Sequence, residues 1–446
     1  MISRRHFFYG SLLAGAVPAA GFGSAPSLKF AGYKSPNEKL NIAAIGSGGK
    51  GFSDINACAA TENIVALTDP DEKRAERTFV KYPDLPKYKD FRRMFDKEEK
   101  NIDAVLVSCP DHVHGTAAMW SMVRGKHVYC QKPLVRTLWE AQELMKAAAK
   151  YKVATQMGNQ GYSNEGARQC AEIIWNGDIG NVTEVHAWTD RPGKYWPQSP
   201  ELVIKELPVP STLDWEAWQA GSLPANYSPA YVPHNWRAFP EYGCGAIGDM
   251  ACHILGTPNM ALKLGWPTSV ECLKKEGKHP RLFPHQTVIR FDFPARHNMP
   301  ALKLFWNDSV KEMPKFDGIP AGQLVGDKDI NGSLFIGDKG MVTTGCYGEK
   351  TRLMPDEKMQ DYKLPPQLLT RSPGHYRDWI RACKGGDPAC SNFSVAAPFV
   401  SWMLLGVIAM RYDGKLEWDA EKMQFSNNKE ANQFLKPVFR KGWQFA

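Results

Sequence analysis

The sequence predicts a two-part α/β protein. The first half reads as a doubly wound parallel sheet, and the second as an α/β domain on an open, largely antiparallel sheet. Three observations carry this. Short apolar runs alternate with helical patterns from residue 40 to residue 157, as in a parallel sheet with helices on both faces. A glycine-rich loop, Gly46-Ser47-Gly48-Gly49-Lys50-Gly51, joins the first run to the first helical stretch. Beyond residue 180 the runs change to apolar/polar alternation, the mark of strands with one solvated face. A chain of 446 residues holds two or three domains. Its 43% hydrophobic and 23% charged residues exclude disorder. The net charge is +8, of which Arg4, Arg5, Lys29 and Lys34 precede the first acidic residue, Glu38. The remaining +4 is dispersed along the chain, so no nucleic-acid partner is expected.

Ser3-Arg4-Arg5-His6-Phe7-Phe8 sets twin arginines before an uncharged stretch that runs from His6 to Leu28. Residues 1–38 therefore resemble a twin-arginine (Tat) export signal and leader, with Gly23-Ser24-Ala25 as a small-residue cleavage site. This predicts a periplasmic protein. The alternative is an N-terminal membrane anchor, because more than about 18 uncharged residues can span a bilayer. Pro18 and the four glycines between Gly10 and Gly23 weaken such a span, so no stable membrane insertion is expected. Ten cysteines contain no CxxC pair. Cys383 and Cys390 could pair across a Gly-Gly-Asp-Pro turn, and no zinc spacing is present, so no metal is expected.

Leu40–Ile45 is a nearly continuous apolar run, as a buried parallel strand requires. The loop that follows is G-x-G-x-x-G: Gly46 suits a tight turn, Gly48 and Gly49 a close approach to a pyrophosphate, and Gly51 close helix–strand packing. Phe52 stands where a Walker loop needs Lys-Ser/Thr. A second run, Ile64–Thr68, ends in Asp69, eighteen residues after Gly51. An acid there accepts from ribose hydroxyls and repels a 2′-phosphate, favouring NAD over NADP; otherwise Asp69 merely opens an Asp-Pro-Asp turn. Arg74 reads as a solvated residue of a charged helix face. Strands follow at 104–108, 127–130 and 153–157, with helices at 112–124 and 137–150. Ligand-facing loops should leave the carboxyl ends of these strands, at Cys109–His114, Gln131–Pro133 and Gly158–Gln160.

Several of these segments match a known family. Cys109-Pro110-Asp111-His112-Val113-His114 is similar to the strand-end Pro-x-x-x-His segment of the Gfo/Idh/MocA oxidoreductases, and Gln131-Lys132-Pro133 to their Glu-Lys-Pro motif. Gly243-Cys244-Gly245-Ala246-Ile247-Gly248-Asp249-Met250-Ala251-Cys252-His253 resembles their Gly-rich Asp-x-x-x-His motif. The likeness spans residue 40 to about residue 310 and implies a Rossmann domain over 39–158 and a substrate domain over 159–446. It implies NAD bound by Gly46, Gly48, Gly49, Gly51, Asp69, Pro110, His112, His114, Gln131, Asn159 and Gln160. Lys132, Asp249 and His253 are then catalytic, and self-association is expected. Asp249 and His253 stand four apart, on one face of a helix. A near-neutral His can take a hydroxyl proton, Asp249 can hold its tautomer or bind a neighbouring hydroxyl, and Lys132 can polarise the substrate oxygen. Gln131 replaces the family's Glu. It cannot answer Lys132 by charge, which predicts a lysine less stabilised in its protonated form.

Residues 182–189, 285–293, 301–306 and 333–344 alternate as strands of the second sheet, the last as a hairpin about Gly337-Asp338-Lys339-Gly340. Between the first two of these, 191–240 is rich in Trp, Tyr and Pro, which suits sugar rings stacked on aromatic faces or, equally, loop packing. Tyr162, Arg191, Trp196 and His234 are the candidate substrate walls. The tail, helical at 374–383 and 396–410, should pack back across both domains. The resemblance implies an NAD(P)-dependent oxidoreductase for a sugar, polyol or glycoside, with tightly held cofactor. A redox-neutral NAD-dependent glycoside hydrolase would use the same residues, and a non-catalytic sugar and dinucleotide sensor is the third alternative.

Overall fold

A computed structural model of the chain describes residues 37–193 and 195–445; residues 1–36, which hold most of the 1–38 stretch expected to be an export signal and leader, lie outside them. The first half is a six-stranded sheet of β1 (Asn41–Ile45), β2 (Asn63–Thr68), β3 (Lys87–Tyr88), β4 (Ala104–Val107), β5 (His127–Cys130) and β6 (Thr155–Met157). All neighbours are parallel, in the order β3-β2-β1-β4-β5-β6. This is the strand order of a dinucleotide-binding sheet. The helices between the strands are α1 (Lys50–Ala59), α2 (Glu72–Lys81), α3 (Phe91–Glu98), α4 (Asp111–Met122) and α5 (Leu138–Tyr151). Their starts are fixed by local chemistry. Asp71 and Asp90 accept from the backbone N–H groups of Arg74 and Arg92, and Thr137 forms a reciprocal capping box with Glu140.

The continuous apolar runs are explained by burial on both faces, since alternate residues serve two separate cores. Ala43, Ile45, Val105 and Val107 face α3, α4 and α5. Ile42, Ala44, Ala104 and Leu106 face α1 together with a helix from the far end of the chain, α8 (His375–Cys383), whose Trp379, Ile380 and Cys383 complete that side. Trp379 is fully buried, edge-on to Tyr129 at 5.6 Å between ring centres. The tail thus supplies one wall of the nucleotide half.

The second half begins with α6 (Glu165–Asn176) and builds a nine-stranded mixed sheet. Its strands are β7 (Val182–Trp188), β8 (Ser269–Glu276), β9 (Gln286–Phe293), β10 (Leu302–Asn307), β11 (Gly332–Gly337), β12 (Met341–Thr344), β13 (Arg352–Met354), β14 (Lys415–Asp419) and β15 (Gln424–Phe425). Their order is β13-β12-β11-β7-β10-β9-β8-β14-β15, antiparallel except where β7 runs parallel to β10. A short α7 (Trp215–Gln219) lies in the long β7–β8 connection. A 17-residue helix, α9 (Phe393–Ala409), is apolar nearly all round because it lies against both halves. Its Trp402 meets Phe291 and Phe293 edge-on at 5.3 and 5.2 Å, and its Ser401 accepts a hydrogen bond from Gln142 of α5. Among the described residues no helix is long and apolar enough to cross a membrane.

Three sequence expectations change. The tail supplies a strand as well as helices, since Trp418 belongs to β14 of the second sheet. β8 escapes pattern reading because a bulge between Cys272 and Lys274 shifts its register. Cys383 and Cys390 do not pair: all ten cysteines are free thiols, Cys383 buried under the first sheet and Cys390 at 3.3 Å from Ser163 Oγ.

Candidate functional site

A cleft of about 570 Å³ opens at the carboxyl ends of β1, β2, β4 and β5 and runs beneath the second half. At one end lies the glycine loop. Gly46 has φ +87°, and a Cβ there would come within 2.6 Å of the Ser108 carbonyl carbon; a Cβ on Gly51 would sit inside the carbonyl oxygen of Gly46. The loop therefore hugs the sheet so closely that only glycine fits, which leaves its outer side open to a ligand's phosphates. Arg74 is not a merely solvated residue. It lies across Gly48 and Gly49 and lines the cleft.

Asp69, at the end of β2, accepts from the N–H groups of Ser47 (2.9 Å), Gly48 (3.0 Å) and Asp71 (3.0 Å). Burial pushes its carboxyl up to about 6, with those three donors pulling the other way. It thus braces the loop and still faces the cleft, and the turn it opens is part of the same arrangement.

At the other end, Lys132 follows β5 and Asp249 lies in a π-helical turn, Ile247–Ala251, that runs into the short helix Cys252–Ile254 bearing His253. The expected α-helix is locally widened here, a distortion frequent at functional sites. Asp249 Oδ1 accepts from Lys132 Nζ at 2.8 Å and Arg237 Nε at 3.1 Å, and Oδ2 accepts from Arg191 Nη1 at 2.9 Å. Burial alone would raise the Asp249 carboxyl, but Lys132, Arg237 and Arg191 hold it well below the usual carboxylate range. Lys132 Nζ also donates to the Asp249 carbonyl at 2.8 Å. His253 is buried against Tyr347, its ring at 4.7 Å. Burial and then Lys132 push its imidazole well below its ordinary value, so it is neutral. Its Nδ1 has no hydrogen-bond partner among the described residues. Asp249 therefore does not hold the His253 tautomer, as the spacing suggested, because three cations occupy both of its oxygens.

The structure redistributes other expected residues. Gly46, Gly48, Gly49, Asp69, Pro110, Gln131, Lys132, Gln160, Arg191, His234, Asp249 and His253 line the one cleft. His112 and His114 do not line it. His112 Nε2 is 2.8 Å from the Trp218 carbonyl, and His114 contacts the Pro133 and Cys109 carbonyls at 2.7 and 2.8 Å. Burial lowers them to about 3 and about 4, so they are neutral braces of the loop. Asn159 is buried, accepting from Ser391 Oγ at 2.6 Å. Tyr162 is a core residue whose hydroxyl accepts from Asn259 at 2.6 Å. Trp196 donates to Gln198 at 3.0 Å inside an aromatic cluster with Trp215, Tyr227 and Tyr231. The aromatics of 191–240 chiefly pack on one another; Trp218 and Trp236 reach the cleft.

Gln131 also departs from expectation. Its amide donates to Asp54 at 2.8 Å, away from the Lys132 ammonium. Asp54 is a fully buried carboxylate in α1 that also takes Ser108 Oγ (2.8 Å), Tyr376 Oη (2.6 Å) and Lys50 Nζ. It joins the glycine-loop helix to two strand ends and the tail helix. Arg237, Asp111 and Asp54 were missed as site groups. Asp111 carried a signal as the acid of the Pro-x-x-x-His segment, but nothing in spacing marks the other two. Burial pushes Asp111 up to about 7, with Arg237 and Lys132 opposing. Among the described residues no cluster of His, Cys, Asp and Glu could hold a metal ion.

A parallel sheet of this order, with a glycine loop and a strand-end acid opening on one cleft, defines an NAD(P)-binding Rossmann fold. Residues 40–159 match the Gfo/Idh/MocA family model, described as oxidoreductase family, NAD-binding Rossmann fold. Over those residues the chain is similar to the NAD-binding part of the Gfo/Idh/MocA oxidoreductases. It is 27% identical over 152 residues to inositol 2-dehydrogenase of Salmonella paratyphi B, a match covering 33% of this chain and 45% of that one. The chain spans less than half the length of the first curated relatives it matches. Its fold is similar to the WlbA dehydrogenase of Bordetella pertussis solved with NADH and UDP-GlcNAcA (TM-score 0.60, 15% identity, 86% of this chain and 99% of that one). It is also similar to an inositol dehydrogenase homologue of Azotobacter vinelandii solved with NADH and myo-inositol (TM-score 0.53, 16% identity, 85% and 98%).

Proposed function

We propose that this protein is an NAD(P)-dependent oxidoreductase that acts on a hydroxyl of a sugar, polyol or glycoside, exported by the twin-arginine route with its cofactor tightly held. The observation that carries the reading is the convergence of Lys132, Asp249 and His253 in the same cleft as the glycine loop. The relatives named as inositol dehydrogenases support the substrate class. A bound nicotinamide dinucleotide supplies the hydride acceptor. The glycine loop and Asp69 are the groups to hold it, with the buried carboxylate favouring NAD over a 2′-phosphorylated cofactor. Lys132 uses two of its three protons on Asp249, leaving the third for a substrate oxygen, where a cation stabilises developing negative charge. His253, neutral and with a free ring nitrogen, accepts the hydroxyl proton.

The test is purified protein, without added cofactor, on a panel of p-nitrophenyl glycosides, free sugars and inositols. Absorbance at 340 nm and nitrophenol release are followed together, with Lys132→Ala as control. A rise at 340 nm that stalls until a carbonyl acceptor is added supports the oxidoreductase. Nitrophenol released over many turnovers without a lasting rise supports the redox-neutral glycosidase instead. NAD binding with no turnover of any substrate, and with Lys132→Ala losing cofactor binding alone, refutes both in favour of a sensor.

A further inference from the structure

The substrate end of the cleft is over-supplied with fixed positive charge. Lys132, Arg191 and Arg237 converge on the single carboxylate of Asp249 at 2.8, 2.9 and 3.1 Å. Neither histidine adds charge: burial, reinforced by Arg237, lowers His234 to about 4, and His253 lies well below its ordinary range. The second carboxyl, Asp111, is pushed up to about 7 by burial and offsets only part of the excess at neutral pH. An oxidised nicotinamide, itself a cation, adds to it. Neutral hydroxyls need no such surplus, since amides and carboxylates bind them without a net charge.

Both guanidinium groups are also held as planar forks. Arg191 lies over the Tyr195 ring at 3.7 Å and Arg237 over the Trp236 ring at 4.1 Å, contacts that fix the plane in which their N–H groups point. Arg191 gives Asp249 only its Nη1, and its buried Nε has no hydrogen-bond partner among the described residues. A buried, unpartnered guanidinium N–H beside a ligand cleft calls for an acceptor.

We infer that the substrate carries an oxyanion, as a sugar acid or a sugar phosphate does, and that Arg191 and Arg237 receive it. The inference rests on reading the cleft as the site of sugar oxidation and names the class of sugar. Both arginines act as binding groups and as the source of discrimination against neutral sugars.

The test uses the full chain saturated with NAD⁺. Calorimetric titrations with D-glucuronate, D-galacturonate and glucose 6-phosphate are compared with D-glucose and D-galactose at low and high salt. One of the acids or the phosphate should bind about tenfold or more tighter than its neutral parent, with an advantage that shrinks as salt is raised. The stronger of the two anion classes identifies the source of the oxyanion. Arg191→Gln and Arg237→Gln, checked for folding by circular dichroism, should each bring the anion down towards the affinity of the neutral sugar. Equal or tighter binding of the neutral sugar overturns the inference, as does an anion advantage unchanged in both variants, or failure of all three anions to bind. Calorimetry needs no turnover, so the two readings separate. Neutral sugars oxidised at 340 nm while no anion binds would leave the oxidoreductase standing without this inference. Anion binding with no change at 340 nm on any substrate would uphold the inference and remove the oxidoreductase.

Discussion

Replacing Asp249 by Asn removes the one charge that Lys132, Arg191 and Arg237 share, at 2.8, 2.9 and 3.1 Å, while nearly preserving shape. Asp249 is 5% exposed and the three cations 14, 25 and 19%. At an effective dielectric near 20, each contact at these distances is worth roughly 5–6 kcal/mol, before discounting for partial exposure and for the carboxylate's own desolvation. Stripping one partner from a buried pair typically costs about 3–5 kcal/mol, and Asp249→Asn should fall in that range at pH 7, read as a fall in urea midpoint. The pH dependence identifies the cause. The folded carboxyl lies well below its ordinary 3.8, so its stabilisation is fully present above that value and is lost as pH falls through the folded pKa. The gap between wild type and variant should stay level from pH 8 to about 5 and begin to close below about 4. A loss under about 1 kcal/mol at pH 7 would refute the reasoning. So would a full loss that persists unchanged into acid wherever both proteins remain folded, because it would locate the effect in packing rather than charge.

Asp111 should behave with the opposite sign. Its folded carboxyl sits at about 7 against an ordinary 3.8, so the cost of ionising it in the fold builds up between about pH 4 and 7 and is complete above 7. Asp111→Asn should therefore gain stability over wild type at pH 8, by at most about 4 kcal/mol, and little at pH 4, in denaturation series at the two pH values. Gly51→Ala should abolish NAD binding in a fluorescence titration, because the methyl meets the Gly46 carbonyl; Gly265→Ala, with nothing within 4 Å of its Cβ, should bind normally. Trp379→Ala, emptying a fully buried position under the first sheet, should cost about 3–5 kcal/mol in urea midpoint. Tyr376→Phe removes hydrogen bonds to Asp54 (2.6 Å) and from Lys50 (2.9 Å) and should weaken NAD retention several-fold on gel filtration, worth about 1–2 kcal/mol.

The parallel sheet was legible because strands buried on both faces read as unbroken apolar runs, and because chemistry in such sheets gathers at strand ends. Lys132, Asp249 and His253 were legible through motif resemblance. Spacing alone could not show that Asp249 turns to three cations rather than to His253, since a face on a helix does not say what stands opposite it. Arg237 and Asp54 were illegible for the same reason: their partners come from other segments, in one case 322 positions away. Trp196 and Tyr162 were misplaced because aromatic side chains suit a sugar face and a dry core equally well. His112 and His114 lay in the right loop, but the carbonyls that face them were not readable from the chain.

The tail helix has a consequence for how the molecule comes to be folded. The apolar back of the nucleotide sheet, including Leu40, Ile42 and Leu106, is sealed by Trp379, Ile380 and Cys383, and Lys384 reaches Glu62 across 322 positions. Closing so long a loop is slow, and the contacts that reward it form last. While the chain is being made, the first half emerges with one greasy side uncovered and must wait, shielded or aggregation-prone, for the last quarter of the polypeptide. Dinucleotide capture then marks the end of synthesis rather than its beginning, so a truncated chain that stops short of residue 375 is disqualified before it can take up a cofactor.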